Sequence, residues 1–142
     1  MLGIIGAMDE EVAQIKEKMT DVTVTSVAGM DFYQGKLGGK DAVVVRSGIG
    51  KVNAGMCSQI LADRFHISAI VNTGIAGSLR AEINIGDIVV STDAVQHDMD
   101  TSPIGDPVGF VSKIGLVEIP CDNALREKLV RAAKGVSDLR VH

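Results

Sequence analysis

Three apolar runs in this sequence each end in a loop that contains glycine, and this repeated pattern restricts the folds open to the chain. The runs at residues 2–5, 42–46 and 68–72 predict buried strands, and helical patterns after Asp9 and over residues 52–65 lie between them. Alternating strands and helices are typical of α/β proteins, in which the carboxyl ends of parallel strands share one edge of the sheet. We therefore expect the three loops to converge at one edge and to form a ligand site there.

The rest of the chain predicts further elements of the same α/β fold. Residues 22–28 alternate in the manner of a strand, and a glycine turn joins residues 32–37 to residues 42–46 in a predicted hairpin. Three later elements are also predicted: a strand over residues 88–91, whose extension to Val95 stays open, a long loop over 98–112 and a helix from Pro120 to Gly135. Together the pattern predicts one domain over residues 1–142, with a largely parallel central sheet and an antiparallel hairpin.

Composition excludes several classes of protein. The chain is 46% hydrophobic and 23% charged, which is typical of a folded domain rather than a disordered chain. Its net charge is −4 and only 3% of its residues are aromatic, so it is poorly suited to bind nucleic acid or an anionic membrane. The sequence shows neither a signal-peptide pattern nor an apolar run of membrane-spanning length. We expect no nucleic-acid partner, no membrane partner and a cytoplasmic location.

Metal and redox chemistry find little support in the sequence. Cys57 and Cys121 lie far apart, and neither belongs to a C-x-x-C pair. His97, Asp98 and Asp100 are residues that metals bind, but a convincing site needs more converging ligands. We expect no metal site.

The second loop carries only half of a dinucleotide-binding fingerprint. Gly48 and Gly50 begin a G-x-G-x-x-G pattern, but Asn53 stands where the third glycine belongs. Lys51 is followed by Val52 rather than Ser or Thr, so the loop does not match a P-loop either. These glycines either allow the strand to turn into the helix or leave room for a ligand near the backbone.

The acidic residues 9–11 have two interpretations. Acidic side chains favour the first turn of a helix, where they meet the positive end of its dipole. They also follow directly after a strand, at the proposed ligand edge. A carboxylate that the helix dipole keeps ionised can deprotonate a water molecule as a general base.

Five segments occur in the order and spacing of one known family: residues 3–12, 47–52, 71–77 and 86–91, and the region around residues 97–100. Across nearly all 142 residues, the chain resembles the bacterial 5′-methylthioadenosine/S-adenosylhomocysteine nucleosidases. The resemblance implies the three-layer αβα fold of the nucleoside phosphorylase superfamily and a homodimer. It also implies hydrolysis of the N-glycosidic bond of either nucleoside, with release of adenine and without metal or organic cofactor.

The resemblance assigns roles to individual residues. Glu11 corresponds to the acid that activates the attacking water, and Ile75 stands where relatives often have Ser. The residues implied to line the ribose and base pocket are Met8, Ile49, Ile75, Ala76 and Gly77. Thr101 and Ile104 lie on the loop implied to reach into the neighbouring subunit's site.

Local charge favours water over phosphate as the nucleophile. Phosphorylases of this fold hold a phosphate near the sugar, which calls for Arg or Lys. Here the first strand is followed by apolar and acidic residues, which disfavour an anion. Two other functions stay open: a related purine nucleoside phosphorylase or nucleosidase, and a non-catalytic nucleoside-binding or dimerisation fragment.

The family's sequence extends beyond the position that corresponds to His142. That further part supplies the Met-Glu pair that holds the ribose and the Asp that protonates adenine. We therefore expect this chain to be a C-terminally truncated domain that is incomplete or inactive alone, or that a companion C-terminal fragment completes.

Overall fold

The computed structural model describes residues 1–136 and 139–142, and it divides into two compact units, Met1–Gly77 and Ser78–His142. Each unit contains its own sheet. In the described part of the chain, no helix combines the length and the apolar character that crossing a membrane requires.

The first unit is a five-stranded mixed sheet with two helices. Its elements in chain order are β1 (Leu2–Gly6), α1 (Asp9–Glu17), β2 (Met19–Val27), β3 (Met30–Leu37), β4 (Lys40–Arg46), α2 (Lys51–Phe65) and β5 (Ala69–Asn72). The strand order is β2-β3-β4-β1-β5. Strand β1 pairs in parallel with β4 and β5, whereas β2, β3 and β4 form an antiparallel meander. The predicted strands and helices of this half are confirmed.

The two helices cover opposite faces of the sheet, because side chains alternate along β4. Val43 and Val45 pack with Leu61 and Phe65 of α2, and Phe65 stacks on Phe32 at a ring distance of 5.1 Å. On the other face, Val44 packs with Ile4, Met19 and Val12 of α1. The sheet therefore lies between two helical layers, as the αβα prediction requires.

The second unit is built from shorter elements. Strands β6 (Asp93–Val95) and β7 (Glu118–Pro120) form an antiparallel pair, and α3 spans Asn123–Val136. A single 3₁₀ turn, Ser102–Ile104, lies within the predicted long loop. The helix predicted from Pro120 to Gly135 is confirmed, but it begins at Asn123, because Pro120 is the last residue of β7.

The strand predicted over residues 88–91 is wrong, whereas its extension to Val95, which the sequence left open, coincides in part with β6 at Asp93–Val95. Ile88 forms only an isolated parallel bridge with Val141, and the Val90 amide donates to the His142 carbonyl at 3.0 Å. A strand needs a partner that runs alongside it for several residues, and the described residues here supply only this short contact. Strand β7 was not predicted, because three residues carry too little pattern.

The buried face of α2 should decide the stability of the first unit. Leu61 is fully buried, so Leu61→Ala should lower the free energy of unfolding by about 2–5 kcal/mol. Urea unfolding followed by tyrosine fluorescence measures this, since the single tyrosine, Tyr33, lies in β3.

Val52→Ala is the matched control on the same helix, because Val52 is 84% exposed. This variant should stay within about 0.5 kcal/mol of wild type. If both variants lowered the free energy of unfolding equally, Leu61 would not lie on the buried face of α2.

Candidate active site

Three strands end together at one edge of the first sheet. The register places Gly6 of β1 beside Arg46 of β4, and Ile5 beside Asn72 of β5. The pairing continues one residue into each following loop: the Ser47 amide donates to the Gly6 carbonyl, and the Thr73 amide to the Ile5 carbonyl, both at 2.9 Å. The three glycine loops therefore converge, as the sequence predicts.

The carboxylate of Glu11 joins the first loop to the third. Helix α1 follows the first loop immediately, with Met8 as its N-cap and Glu11 as its third residue. Glu11 Oε2 accepts the amide hydrogens of Ala7 at 2.7 Å and Met8 at 3.0 Å. Glu11 Oε1 accepts the amide hydrogen of Ile75, 64 residues further along the chain, at 3.1 Å. The first two bonds are ordinary helix capping, but the third lies outside the helix.

These hydrogen bonds lower the pKa of Glu11 below its ordinary value. The Ile75 amide contributes most, followed by the Met8 amide; desolvation opposes the shift, and the Ala7 amide again lowers the pKa. Hydrogen bonds to the charged form favour it, so the carboxylate stays ionised at neutral pH. A carboxylate oxygen has two lone pairs, and Oε1 accepts one amide bond here, which leaves room for a water molecule. The group is equipped to take a proton from that water.

The close approach of α1 explains two of the glycines, Gly74 through Glu11 alone and Gly6 through Val12 and Glu11. A Cβ atom on Gly74 would lie 2.7 Å from Glu11 Cδ. A Cβ on Gly6 would lie 2.7 Å from Val12 Cγ1 and 3.0 Å from Glu11 Cβ. Such distances are too short for carbon atoms, so a side chain at either position would push the acid away.

The glycines of the second loop have a conformational explanation. Gly48 and Gly50 adopt φ angles of +85° and +102°, which L side chains rarely adopt. Asn53 donates its side-chain amide to the Ile49 carbonyl at 2.8 Å, and so closes the loop onto α2. The structure thus supports the turn interpretation of this motif.

The remaining predicted site residues divide between the two units. Met8, Ile49, Ile75, Ala76 and Gly77 lie in or beside the loops of the first unit's edge, and Ile49 and Ile75 are 74% and 84% exposed. Thr101 and Ile104 belong to the second unit. There the Thr101 hydroxyl donates to Asp106 at 2.9 Å, and the Ile104 side chain is exposed.

A cavity of about 220 Å³ opens beside the second loop. Its lining includes Arg46, the buried Ser47, Gly48 and Asn53, but not Glu11. Among the described residues, no three His, Cys, Asp or Glu side chains are grouped so that they could hold a metal ion.

An ion pair at the same edge was not predicted from the sequence. Arg46 Nη1 lies 3.1 Å from Asp9 Oδ2, and thereby ties the end of β4 to the start of α1. The signal that would have found it is positional: a basic residue ends one strand, and an acidic run follows its neighbour.

Comparison with known proteins identifies the family of this chain. A family model described as the phosphorylase superfamily matches residues 1–142. The chain belongs to this superfamily. Among its curated relatives, the 5′-methylthioadenosine/S-adenosylhomocysteine nucleosidase of Colwellia psychrerythraea is 46% identical over 138 residues, which are 96% of this chain and 55% of the relative.

Solved structures of such nucleosidases superpose closely on this superfamily member. The Neisseria meningitidis enzyme in complex with methylthio-immucillin-A gives a TM-score of 0.94 at 34% identity, over 99% of this chain and 60% of that one. The Colwellia psychrerythraea enzyme in complex with adenine gives a TM-score of 0.88 at 41% identity, over 99% of this chain and 58% of that one. These matches confirm the family resemblance and the fold class that the sequence predicted. The chain spans little more than half the length of these relatives.

Gly74→Ala should displace the Glu11 carboxylate from the Ile75 amide, because the new Cβ needs the space that the carboxylate occupies. The pKa of Glu11 should then rise towards its ordinary value, since its largest lowering contact is lost. A ¹³C NMR titration of the glutamate side-chain carboxyl measures this pKa.

Gly77→Ala is the control in the same loop, because a Cβ there meets nothing within 4 Å. It should leave the pKa of Glu11 unchanged. If Gly74→Ala also left it unchanged, the Ile75 contact would not be what lowers this pKa.

The lowered pKa of Glu11 also predicts how stability depends on pH. A carboxyl whose pKa is lower in the folded state stabilises the fold above its unfolded pKa, here about 4.5, and loses this effect as pH falls through the folded pKa. The difference in unfolding free energy between wild type and Glu11→Gln should therefore be largest near neutral pH and shrink on acidification. Urea unfolding at several pH values tests this, and a constant difference would contradict it.

Proposed function

We propose that this protein hydrolyses the N-glycosidic bond of 5′-methylthioadenosine and S-adenosylhomocysteine, releasing adenine, with Glu11 as the base. The observation that carries the proposal is the ionised Glu11 carboxylate, held by amides of two loops at the carboxyl edge of the sheet. The similarity to nucleosidases that bind adenine or methylthio-immucillin-A supports the substrate class.

The proposed reaction needs a proton acceptor and a negative charge at the same place. Water attacks the anomeric carbon of the ribose, the bond from that carbon to the adenine nitrogen breaks, and Glu11 takes a proton from the water. Positive charge develops on the sugar as the bond breaks. A carboxylate beside the sugar stabilises this charge electrostatically while it acts as the base.

Adenine leaves as a neutral base only when its ring gains a proton. The family resemblance assigns this step to an Asp, and the ribose hydroxyls to a Met-Glu pair, beyond the part of the family that residues 1–142 cover. We propose that the site is completed by these groups, either from further chain or from a companion C-terminal fragment. Residues 1–142 would then contribute the water-activating part of one nucleosidase domain.

We further propose roles for the loops around Glu11. Their residues would contact the ribose and adenine: Met8, Ile49, Ile75, Ala76 and Gly77. At position 75 the contact available is apolar, because the side chain is an exposed isoleucine and its amide hydrogen is taken by Glu11. Thr101 and Ile104 of a second subunit would cover the alkylthio group in a cytoplasmic homodimer that serves methionine salvage.

Glu11→Gln should abolish most of the adenine release, because the amide cannot accept a proton at neutral pH. Loss of a positioned base costs about a hundred- to ten-thousand-fold in rate. Adenine formation from methylthioadenosine by the protein expressed from its own reading frame measures this. Buffers with and without phosphate separate hydrolysis from phosphorolysis.

Glu10→Gln is the matched control, since Glu10 is exposed and lies one residue earlier in the same helical turn. It should retain near wild-type turnover. Equal turnover of Glu11→Gln and wild type would refute the assigned base. A rate that requires added phosphate would indicate a phosphorylase, and nucleoside binding without product would indicate a non-catalytic fragment.

A further inference from the structure

Arg46 places a cation at the edge of the sheet where Glu11 lies. It is the last residue of β4, and its register partner on β1 is Gly6. Side chains two positions apart on a strand share a face, so Arg46 points to the same face as Val44, which packs against α1. Gly6 shows that Glu11 is near this face, because a Cβ there would lie 3.0 Å from Glu11 Cβ.

A free guanidinium at this place would attract phosphate. Arginine binds phosphate through two parallel, charge-assisted hydrogen bonds, and no other side chain matches this geometry as well. An anion bound at Arg46 would lie at the same edge of the sheet as the Glu11 carboxylate, where the proposed water binds.

In the structure, the guanidinium of Arg46 is paired with the carboxylate of Asp9. Its Oδ2 lies 3.1 Å from Arg46 Nη1, and its Oδ1 lies 3.9 Å from Lys16 Nζ. One carboxylate is thus shared between two cations, and it is the first residue of the same helix that carries Glu11. Two acidic residues of the first turn of α1 therefore have different partners: Asp9 contacts cations, and Glu11 contacts backbone amides.

We propose that Asp9 determines nucleophile specificity by neutralising Arg46, and so keeps inorganic phosphate away from the water site at Glu11. The proposal rests on the hydrolytic function proposed above. It assigns Asp9 an indirect role, because the residue acts through Arg46 rather than on substrate. The side chains of Asp9 and Arg46 are 63% and 53% exposed, so solvent screens the pair and the effect is modest.

The test measures binding of inorganic phosphate directly, by calorimetric titration at low and constant ionic strength. Asp9→Asn should bind phosphate about fivefold more tightly than wild type, which is the upper range for one exposed ion pair. Asp9→Glu retains the charge and should behave as wild type. The double variant Asp9→Asn, Arg46→Met should lose the gain, because the proposed phosphate ligand is absent.

Asp41→Asn is the matched control. Asp41 is as exposed as Asp9 and pairs with Lys36 at 2.6 Å, but on the β3–β4 hairpin. Removal of its charge should leave phosphate binding unchanged, so a gain in this variant would show a general charge effect and overturn the proposal. Equal phosphate affinity of Asp9→Asn and wild type, or a gain that persists in the double variant, would also overturn it.

Adenine release gives a second readout. Phosphate should inhibit Asp9→Asn at about fivefold lower concentration than it inhibits wild type. If no variant releases adenine, the proposed hydrolysis fails, whereas the calorimetric comparison still decides the role of Asp9.

Discussion

The carboxylate of Glu11 and its three amide donors are the contact on which the site depends. Two donors, Ala7 and Met8, belong to the loop after β1, and the third, Ile75, follows β5. Strands β1 and β5 are already paired, so the carboxylate adds a link between loops whose starting points the sheet has fixed. One side chain thereby caps α1, holds the third loop and keeps itself ionised.

Because Glu11 is held by backbone amides, the contact constrains the space around the carboxylate more than the identity of the donor residues. An amide hydrogen is available from every residue except proline, so the contact does not require a particular side chain at position 75. It requires space, however, and Gly6 and Gly74 provide that space because neither carries a Cβ. The isoleucine at position 75 is therefore compatible with the Glu11 contact. Its exposed side chain affects what the loop offers to a ligand, not how the acid is held.

Much of the first unit could be predicted, because its strands are long apolar runs that end in glycine. Convergence of the loops followed from the rule that parallel strands end at one edge. The sequence could not decide whether Glu11 caps a helix or acts as a base. Ala7 and Met8 provide local contacts at the start of α1, which any capping residue could make. The contact with Ile75 exists only because the tertiary fold brings the two loops together. The second unit was less predictable. Its pairing over Ile88 and Val141 depends on contacts across 53 positions of sequence rather than on local pattern.

For the proposed hydrolysis, the way in which Glu11 is ionised matters as much as the ionisation itself. An arginine partner would also lower its pKa, but it would cancel the negative charge that the developing sugar cation needs. Neutral amide donors favour the carboxylate form without adding a positive charge beside it. The nearby guanidinium of Arg46 is matched by Asp9 instead. Two carboxylates in one helical turn are thus distinguished by their partners. Glu11, whose described hydrogen bonds all come from backbone amides, retains its charge for the proposed reaction.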